Sequence, residues 1–309
     1  MSDAVIEVAV GIVYDTQGRI YITRRAANVH QGGLWEFPGG KREYGESPQQ
    51  ALFRELKEEL GIEVHRAQAL IQVRHTYPDC DVLLDVWKVW DYDGEPQGME
   101  GQSGCWVEPS SLADYTFPPA DIPIVNALLL PEIYVITPDH LDWVAQLPEL
   151  LQRGVRLIQL RLPGVSKTQL QTLLSRIQPL VKQYRCNLLL NRQVEWVASL
   201  SLQGVHLSAA QLKTYTNRPL STDYWVAASC HTVEDLQLAQ ALSVDFIVLS
   251  PVKATLSHPQ AEPLGWSQFA LMCAQVSIPV YALGGLCRDD IAQARQSGGQ
   301  GVAGIRAFL

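Results

Sequence analysis

The stretch GKREYGESPQQALFRELKEELGI, residues 40–62, decides how the first part of this chain is read. Ser47 is a good N-cap, Pro48 suits the first helical position, Gln50 completes a capping box and Gly61 ends the run, so the pattern predicts a helix from Ser47 to Leu60. On that helix Glu55, Glu58 and Glu59 stand at i, i+3 and i+4, which puts three carboxylates on one face. Like charges so spaced destabilise a bare helix, by roughly 0.2–0.5 kcal/mol per pair. A hard, oxygen-seeking cation such as Mg²⁺ or Mn²⁺ would relieve the repulsion. In a generic Glu-rich helix the same spacing is a solvated acidic face. Arg54 can pair with Glu58 one turn on, and Gly39 and Gly40, after WEFP, are expected to form a tight loop that offers backbone carbonyls.

Around this helix, the runs VAVGIVYD, RIYITRR and VLLDVWKVW read as strands of a mixed sheet. After Pro131 the rhythm changes to strand and helix in alternation. Candidate strands are IYVIT (133–137), RLIQL (156–160), NLLLN (187–191), GVHLS (204–208), WVAAS (225–229), DFIVLS (245–250), PVYAL (279–283) and GVAGI (301–305). Eight such units favour a closed parallel (β/α)₈ barrel, with the last outer helix reduced to a stub. The sequence therefore predicts two α/β domains, residues 1–131 and 132–309.

Bulk properties narrow the function. The net charge of −8 is uneven: residues 1–131 hold 10 Lys/Arg against 20 Asp/Glu, and residues 132–309 hold 14 against 12. An acidic first half argues against long nucleic acid as a partner and suits a metal-loaded site for a free nucleotide. No apolar run is long enough to span a bilayer and no signal peptide is read, so no membrane partner is expected. Six scattered cysteines without a CxxC pair suit reduced thiols in a cytoplasm.

Gly40, Glu46, Arg54, Glu55, Leu56, Glu58, Glu59, Gly61 and Ile62 match every fixed position of the Nudix box, Gly-x5-Glu-x7-Arg-Glu-hydrophobic-x-Glu-Glu-x-Gly-hydrophobic. Resemblance to the Nudix family implies an α/β/α sandwich and hydrolysis of a nucleoside diphosphate linked to another group. It implies metal ligation by the Gly39 carbonyl, Glu55, Glu58 and Glu59, with Glu55 also a base for the attacking water and Arg54 in the catalytic set. VAVGIVYD, YITRRAANVHQGGLWEFPGG, EPQGMEGQ and FPPADIP further resemble the MutT-type 8-oxo-dGTP diphosphatases across residues 4–130. That resemblance implies nucleotide-pool sanitation in support of DNA replication and repair. It adds Glu100 as a ligand or base, and Arg25, Phe37 and Asp121 around the purine. Arg25 could equally be a surface strand-end arginine, and Phe37 ordinary core. The subfamily carries Asn where this chain has Asp121, and an ionised carboxylate only accepts hydrogen bonds.

YVITPD, LIQLR, LLLNR, GVHLS, SCHTVED, DFIVLSPVKATLSHPQAEPLGW, YALGGL and GVAGI resemble thiamine-phosphate synthase and its tautomerase relative, in order along the second domain. Retained positions are Gln159, Arg161, Asn191, His206, Ser229, Thr255, Gly284 and Gly285, which the resemblance makes candidates for a small phosphorylated ligand. His231 is a candidate acid/base or else a structural loop histidine. Pro163 replaces the synthase's diphosphate-binding Lys, Asn191-Arg192-Gln193 replaces Asn-Asp-Arg, and Thr255-Leu256-Ser257-His258 replaces Thr-x-Thr-Lys. The expectation is a Mg²⁺-dependent 8-oxo-dGTP (or 8-oxo-GTP) pyrophosphohydrolase with a barrel that does not make thiamine phosphate. The alternatives are a thiamine-pathway bifunctional enzyme, or a catalytically silent barrel that serves as a binding or homodimerisation module.

Overall fold

The computed structural model describes residues 5–25, 31–99, 101–255, 260–305 and 307–308. The chain divides into two compact units, Met1–Leu129 and Leu130–Leu309.

The first unit runs β1 (Ile6–Val13), β2 (Ile20–Arg24), β3 (Trp35–Glu36), β4 (Gly39–Lys41), α1 (Pro48–Leu60), β5 (Glu63–Thr76), β6 (Asp81–Asp93), β7 (Gly104–Val107) and α2 (Ile122–Leu129). A four-stranded sheet has the order β4-β1-β6-β5, with β1 and β6 parallel and the other pairs antiparallel. A second, antiparallel sheet has the order β3-β2-β7. Strand residues alternate faces, and the register Val10↔Val86 makes both faces of the β1–β6 pair apolar. Val10, Ile12, Leu84 and Val86 pack with Ile124, Val125 and Ala127 of α2. Ala9, Val13 and Val89 pack with Leu52, Leu56 and Leu60 of α1. Each of those buried leucines contributes about 1.5–3 kcal/mol. A helix on either face gives the expected α/β/α sandwich.

Helix α1 is built as its residues dictate. The Ser47 side chain accepts from the Gln50 amide, the Gln50 side chain accepts from the Ser47 amide, and Gly61 closes the helix at φ 70°. Gly39 and Gly40, expected in a loop, instead lie on β4, paired with β1. A Cβ at Gly39, whose φ is +146°, would stand 2.1 Å from the Ala9 carbonyl oxygen, so the strand can approach β1 only with glycine there. Sequence patterning overlooked β5. Its register shifts around Arg66 and Ile71 break the two-residue alternation, leaving Val64, Leu70 and Val73 as its buried residues.

The second unit is a closed parallel barrel of β8 (Ile133–Ile136), β9 (Leu157–Leu160), β10 (Asn187–Asn191), β11 (Gly204–Leu207), β12 (Trp225–Cys230), β13 (Phe246–Leu249), β14 (Val280–Leu283) and β15 (Gly301–Gly304). Each of the eight quoted runs forms one strand. The helices are α3 (Leu147–Gln152), α4 (Lys167–Gln183), α5 (Ala209–Leu212), α6 (Val233–Ala241), α7 (Gly265–Cys273) and α8 (Ile291–Gln296). Tyr134, Leu157, Leu189, Phe246 and Tyr281 fill the barrel, while Val135, Ile158, Val205 and Ile247 face the helices. Leu130 belongs to the inner cluster. Gln300 donates to the Leu130 carbonyl at 2.8 Å, and the Tyr281 hydroxyl donates to the Pro131 carbonyl. The barrel unit thus takes in Leu130 and Pro131, two residues ahead of the expected start at 132. After β15 the described residues form no helix, and the buried Phe308 lies on Gly304, where a Cβ would come within 2.4 Å of its ring.

Candidate functional site

In the first unit the carboxylate helix is organised by Arg54. Its Nε and Nη2 donate to the two oxygens of Glu46 at 2.8 and 3.0 Å, Nη1 reaches Glu55 Oε1 at 2.8 Å and Glu58 Oε2 at 3.1 Å, and Nη2 also donates to the Lys41 carbonyl at 3.0 Å. The guanidinium therefore ties the loop before α1 to the carboxylates on it. The Arg54 hydrogen bonds hold the Glu46 carboxyl down at about 2 and push the Arg54 pKa up. Glu59 accepts from the Gly39 amide at 2.9 Å. The Glu55 carboxyl lies directly over Gly40, where a Cβ would stand 2.2 Å from it. Arg54, Glu55, Glu58, Glu59 and Gly39 thus come together, and Glu46 joins them. Glu46 was visible in the sequence only as a fixed motif position.

The donor set is hard oxygen, which suits a divalent cation of the Mg²⁺ kind. Among the described residues no three His, Cys, Asp or Glu side chains converge as a metal cage; Arg54 bonds Glu55 and Glu58, and the Gly39 amide bonds Glu59. Glu100 lies outside the described residues.

A second cluster forms where β2, β3 and the turn before α2 meet. Arg25 is ion-paired with Glu36. Phe37 is buried and stacks on Phe117, with centroids 5.1 Å apart and planes at 15°. Asp121 is only 8% exposed. Burial first, then the nearby Glu36 charge, raise its pKa to about 7, with Arg25 opposing. A carboxyl raised in this way can also donate when it is protonated. Tyr77, not singled out from sequence, is hydrogen-bonded to the Ala120 backbone beside Asp121.

In the barrel the candidates sit on strand interiors or at the C-terminal strand ends, where barrels of this kind carry their sites. Gln159, Tyr134 and His206 are buried. Asn191 Nδ2 donates to Gln159 Oε1 at 3.5 Å, and Gln159 Nε2 donates to the Tyr134 hydroxyl at 3.3 Å. The Tyr134 hydroxyl is 3.1 Å from His206 Nδ1, and His206 Nε2 is 2.8 Å from Ser229 Oγ. Burial drives the His206 pKa down to about 3, so the ring is neutral and carries one N–H. Tyr134 links the retained Gln159 and His206 and was not anticipated. Thr137 Oγ1 accepts from the Arg161 amide at 2.9 Å. His231 Nδ1 faces the Ser250 carbonyl at 2.9 Å. The Ser250 hydroxyl lies 3.3 Å from the same nitrogen. Gly284 and Gly285 have φ of 108° and 64°, and a Cβ would meet Pro251 Cα at 2.9 Å and the Ala254 carbonyl oxygen at 2.4 Å respectively. Thr255 is the last described residue of its segment, and Leu256, Ser257 and His258 lie outside the described residues.

A sandwich with an Arg-organised carboxylate helix, followed by a parallel barrel with polar groups at its strand ends, is a fusion of two enzyme folds. The NUDIX domain model matches residues 9–127 and the Thiamine monophosphate synthase model matches residues 133–308. The chain belongs to the thiamine monophosphate synthase family through its barrel and to the Nudix family through its first unit, a Nudix pyrophosphohydrolase domain of MutT-like sequence. The first unit is 42% identical over 123 residues to the 8-oxo-dGTP diphosphatase of Escherichia coli, covering 40% of this chain and 95% of that one. It is 40% identical over 124 residues to the CTP pyrophosphohydrolase of the same organism, covering 40% and 91%. The barrel is 28% identical over 166 residues to the thiamine-phosphate synthase of Bacteroides fragilis, covering 52% and 81%. Nudix hydrolases generally use divalent metals. No helix among the described residues is long and apolar enough to cross a membrane.

Proposed function

We propose that the first unit hydrolyses a purine nucleoside triphosphate, 8-oxo-dGTP or 8-oxo-GTP foremost, to the monophosphate and pyrophosphate, and so cleanses the nucleotide pool used in DNA replication. The observation that carries this reading is the set of carboxylates Glu55, Glu58 and Glu59 on one face of α1, organised by Arg54 and the Gly39 amide. Glu55, Glu58, Glu59, the Gly39 carbonyl and Glu100 would hold the cofactor, Mg²⁺ or, in its place, Mn²⁺. When bound it polarises phosphoryl oxygens and lowers the pKa of water. Glu55 takes the proton of the attacking water, and Arg54 keeps Glu55 aimed over Gly40. Arg25, Phe37 and Asp121 enclose and read the base. The likeness to the 8-oxo-dGTP diphosphatase supports a purine, while the comparable likeness to the CTP pyrophosphohydrolase makes CTP the competitor to measure.

The experiment is hydrolysis in ¹⁸O-labelled water across 8-oxo-dGTP, dGTP and CTP. Label in pyrophosphate is expected, because water attacks the β-phosphorus. Label in the nucleotide, or a preference for CTP, would overturn this reading.

The barrel binds a small phosphorylated molecule at its C-terminal strand ends without making thiamine phosphate. His231, at the end of β12, whose Nδ1 lies 2.9 Å from the Ser250 carbonyl, favours a second reading in which the barrel moves a proton on its ligand.

A further inference from the structure

Helix α4 closes on an arginine where glycine is usual. The Arg185 amide donates to the Lys182 carbonyl at 3.1 Å and the Cys186 amide to the Val181 carbonyl at 3.0 Å, with Arg185 in the left-handed region at φ 49°. Arginine at this closing position carries a steric cost that glycine lacks, so stability alone does not account for Arg185. Arg185 lines a cavity of about 450 Å³ between the end of α4, the start of β10 and the turn before β11. Leu174, Gln178, Val181 and Lys182, at i, i+4, i+7 and i+8 of α4, border it from one helical face. Its floor is apolar, made by the buried Leu174, Val181, Leu188 and Leu202. Among the described residues no Asp or Glu lines it, and Lys182 and Arg185 have no ion-pair partner.

We propose that this cavity binds a small organic acid, with its carboxylate between Lys182 and Arg185 and a short apolar chain on the leucine and valine floor. It lies at the N-terminal ends of β10 and β11, whereas Asn191 and Ser229 stand at the C-terminal end of the barrel. The proposal is therefore independent of the phosphorylated ligand and of the nucleotide reading. A guanidinium takes a carboxylate through two parallel N–H bonds, and the side-chain amides of Gln178 and Asn187 add further donors at the wall. The backbone selects carboxylate over phosphate. Phosphate is held by the free N–H groups of helix N-termini, but α4 presents its C-terminal end here. Two cations against the partial negative charge of that end leave roughly one and a half positive charges, which matches a monoanion better than a dianion. Such a lining, mostly apolar with a few polar groups that fix orientation, is the usual make-up of a small-molecule pocket.

The probes are hexanoate, acetate, hexanamide and inorganic phosphate, added to the ¹⁵N-labelled full chain at about pH 7, where the acids are ionised, and followed by amide NMR shifts. Hexanoate is expected to shift the Arg185, Cys186 and Leu202 amides saturably. It should bind at least about tenfold more tightly than acetate, which lacks the apolar chain, and than hexanamide, which lacks the charge. Arg185→Gly separates a binding role from a structural one. Glycine suits the left-handed position, so the barrel of this variant should unfold at the same or a higher urea concentration, while hexanoate affinity falls about tenfold or more. Lys182→Gln should weaken hexanoate binding in the same sense, and added salt should weaken it in the native protein. Hexanamide or phosphate binding as tightly as hexanoate, or no shift of these amides up to about 10 mM hexanoate, would overturn the proposal. So would an Arg185→Gly variant that loses stability and keeps its affinity.

Discussion

The Gly39 amide donates to Glu59 Oε2 across 2.9 Å, joining strand β4 to the last turn of α1. A strand that forms only because Gly39 can lie against Ala9 thereby positions a carboxylate twenty residues further on. Glu59 keeps its acceptor oxygen if changed to glutamine but loses its charge. Glu58→Gln and Glu59→Gln are each expected to lower Mg²⁺-dependent turnover by about 10²-fold or more, with circular dichroism and melting unchanged. Near-native rates in both variants would remove these residues from the metal site.

Gly40 makes the companion case. The Glu55 carboxyl occupies the place a Cβ would take, 2.2 Å away. The far end of a flexible side chain moves at little cost, so Gly40→Ala should alter stability by less than about 1 kcal/mol. It should also cut kcat/KM about 10- to 100-fold, because the proton acceptor is displaced by roughly an ångström. A variant that keeps full activity would show that Glu55 need not sit where it does.

Leu130 fills the inner cluster of the barrel with Tyr134, Phe246 and Tyr281. Leu130→Ala is expected to destabilise the barrel by about 2–4 kcal/mol, read as an earlier second transition in urea unfolding of the full chain. No shift of that transition would mean Leu130 is a linker residue.

His206 gives the barrel an acid limit. Its pKa is held at about 3 by burial, against an ordinary 6.5. Between those values the unfolded chain binds the proton that the folded ring refuses, so stability rises with pH through the window and is lost as pH falls from about 6.5. Going from about pH 7 to about pH 4.5 should cost the barrel roughly 2 kcal/mol, and His206→Gln should remove most of that loss. An equal acid loss in both proteins would mean that other groups cause it.

Thiamine-phosphate synthesis expels pyrophosphate, and the developing charge needs cations and metal ligands around it. By the resemblance to the synthase, Pro163 and Arg192 stand where a cationic lysine and a metal carboxylate are expected. Lys253, two residues before Thr255, is held by Asp290 at 2.7 Å. The full chain is expected not to support growth without thiamine of a strain that lacks the synthase. Growth would mean that the barrel carries the reaction through other groups.

The sequence alone determined what short-range chemistry controls. Ser47, Pro48, Gln50 and Gly61 specify the ends of α1, and the i, i+3, i+4 spacing aligns its carboxylates, because caps and helical periodicity act within a few residues. The eight barrel strands were legible for the same reason: each is a brief apolar run bounded by turn signals and closed on both faces. The tertiary structure decided everything that depends on residues far apart in the chain. β4 exists because Gly39 meets Ala9, and the bulges of β5 answer to β6. The Tyr134–His206 contact spans 72 residues, and it connects the inner polar chain that ends at Ser229. The environment of Asp121 was not legible from its type, because the ionisation of a carboxyl follows the water removed and the charges brought near it. Both were set by Glu36, Arg25 and the burial of the turn, which no local pattern around residue 121 records.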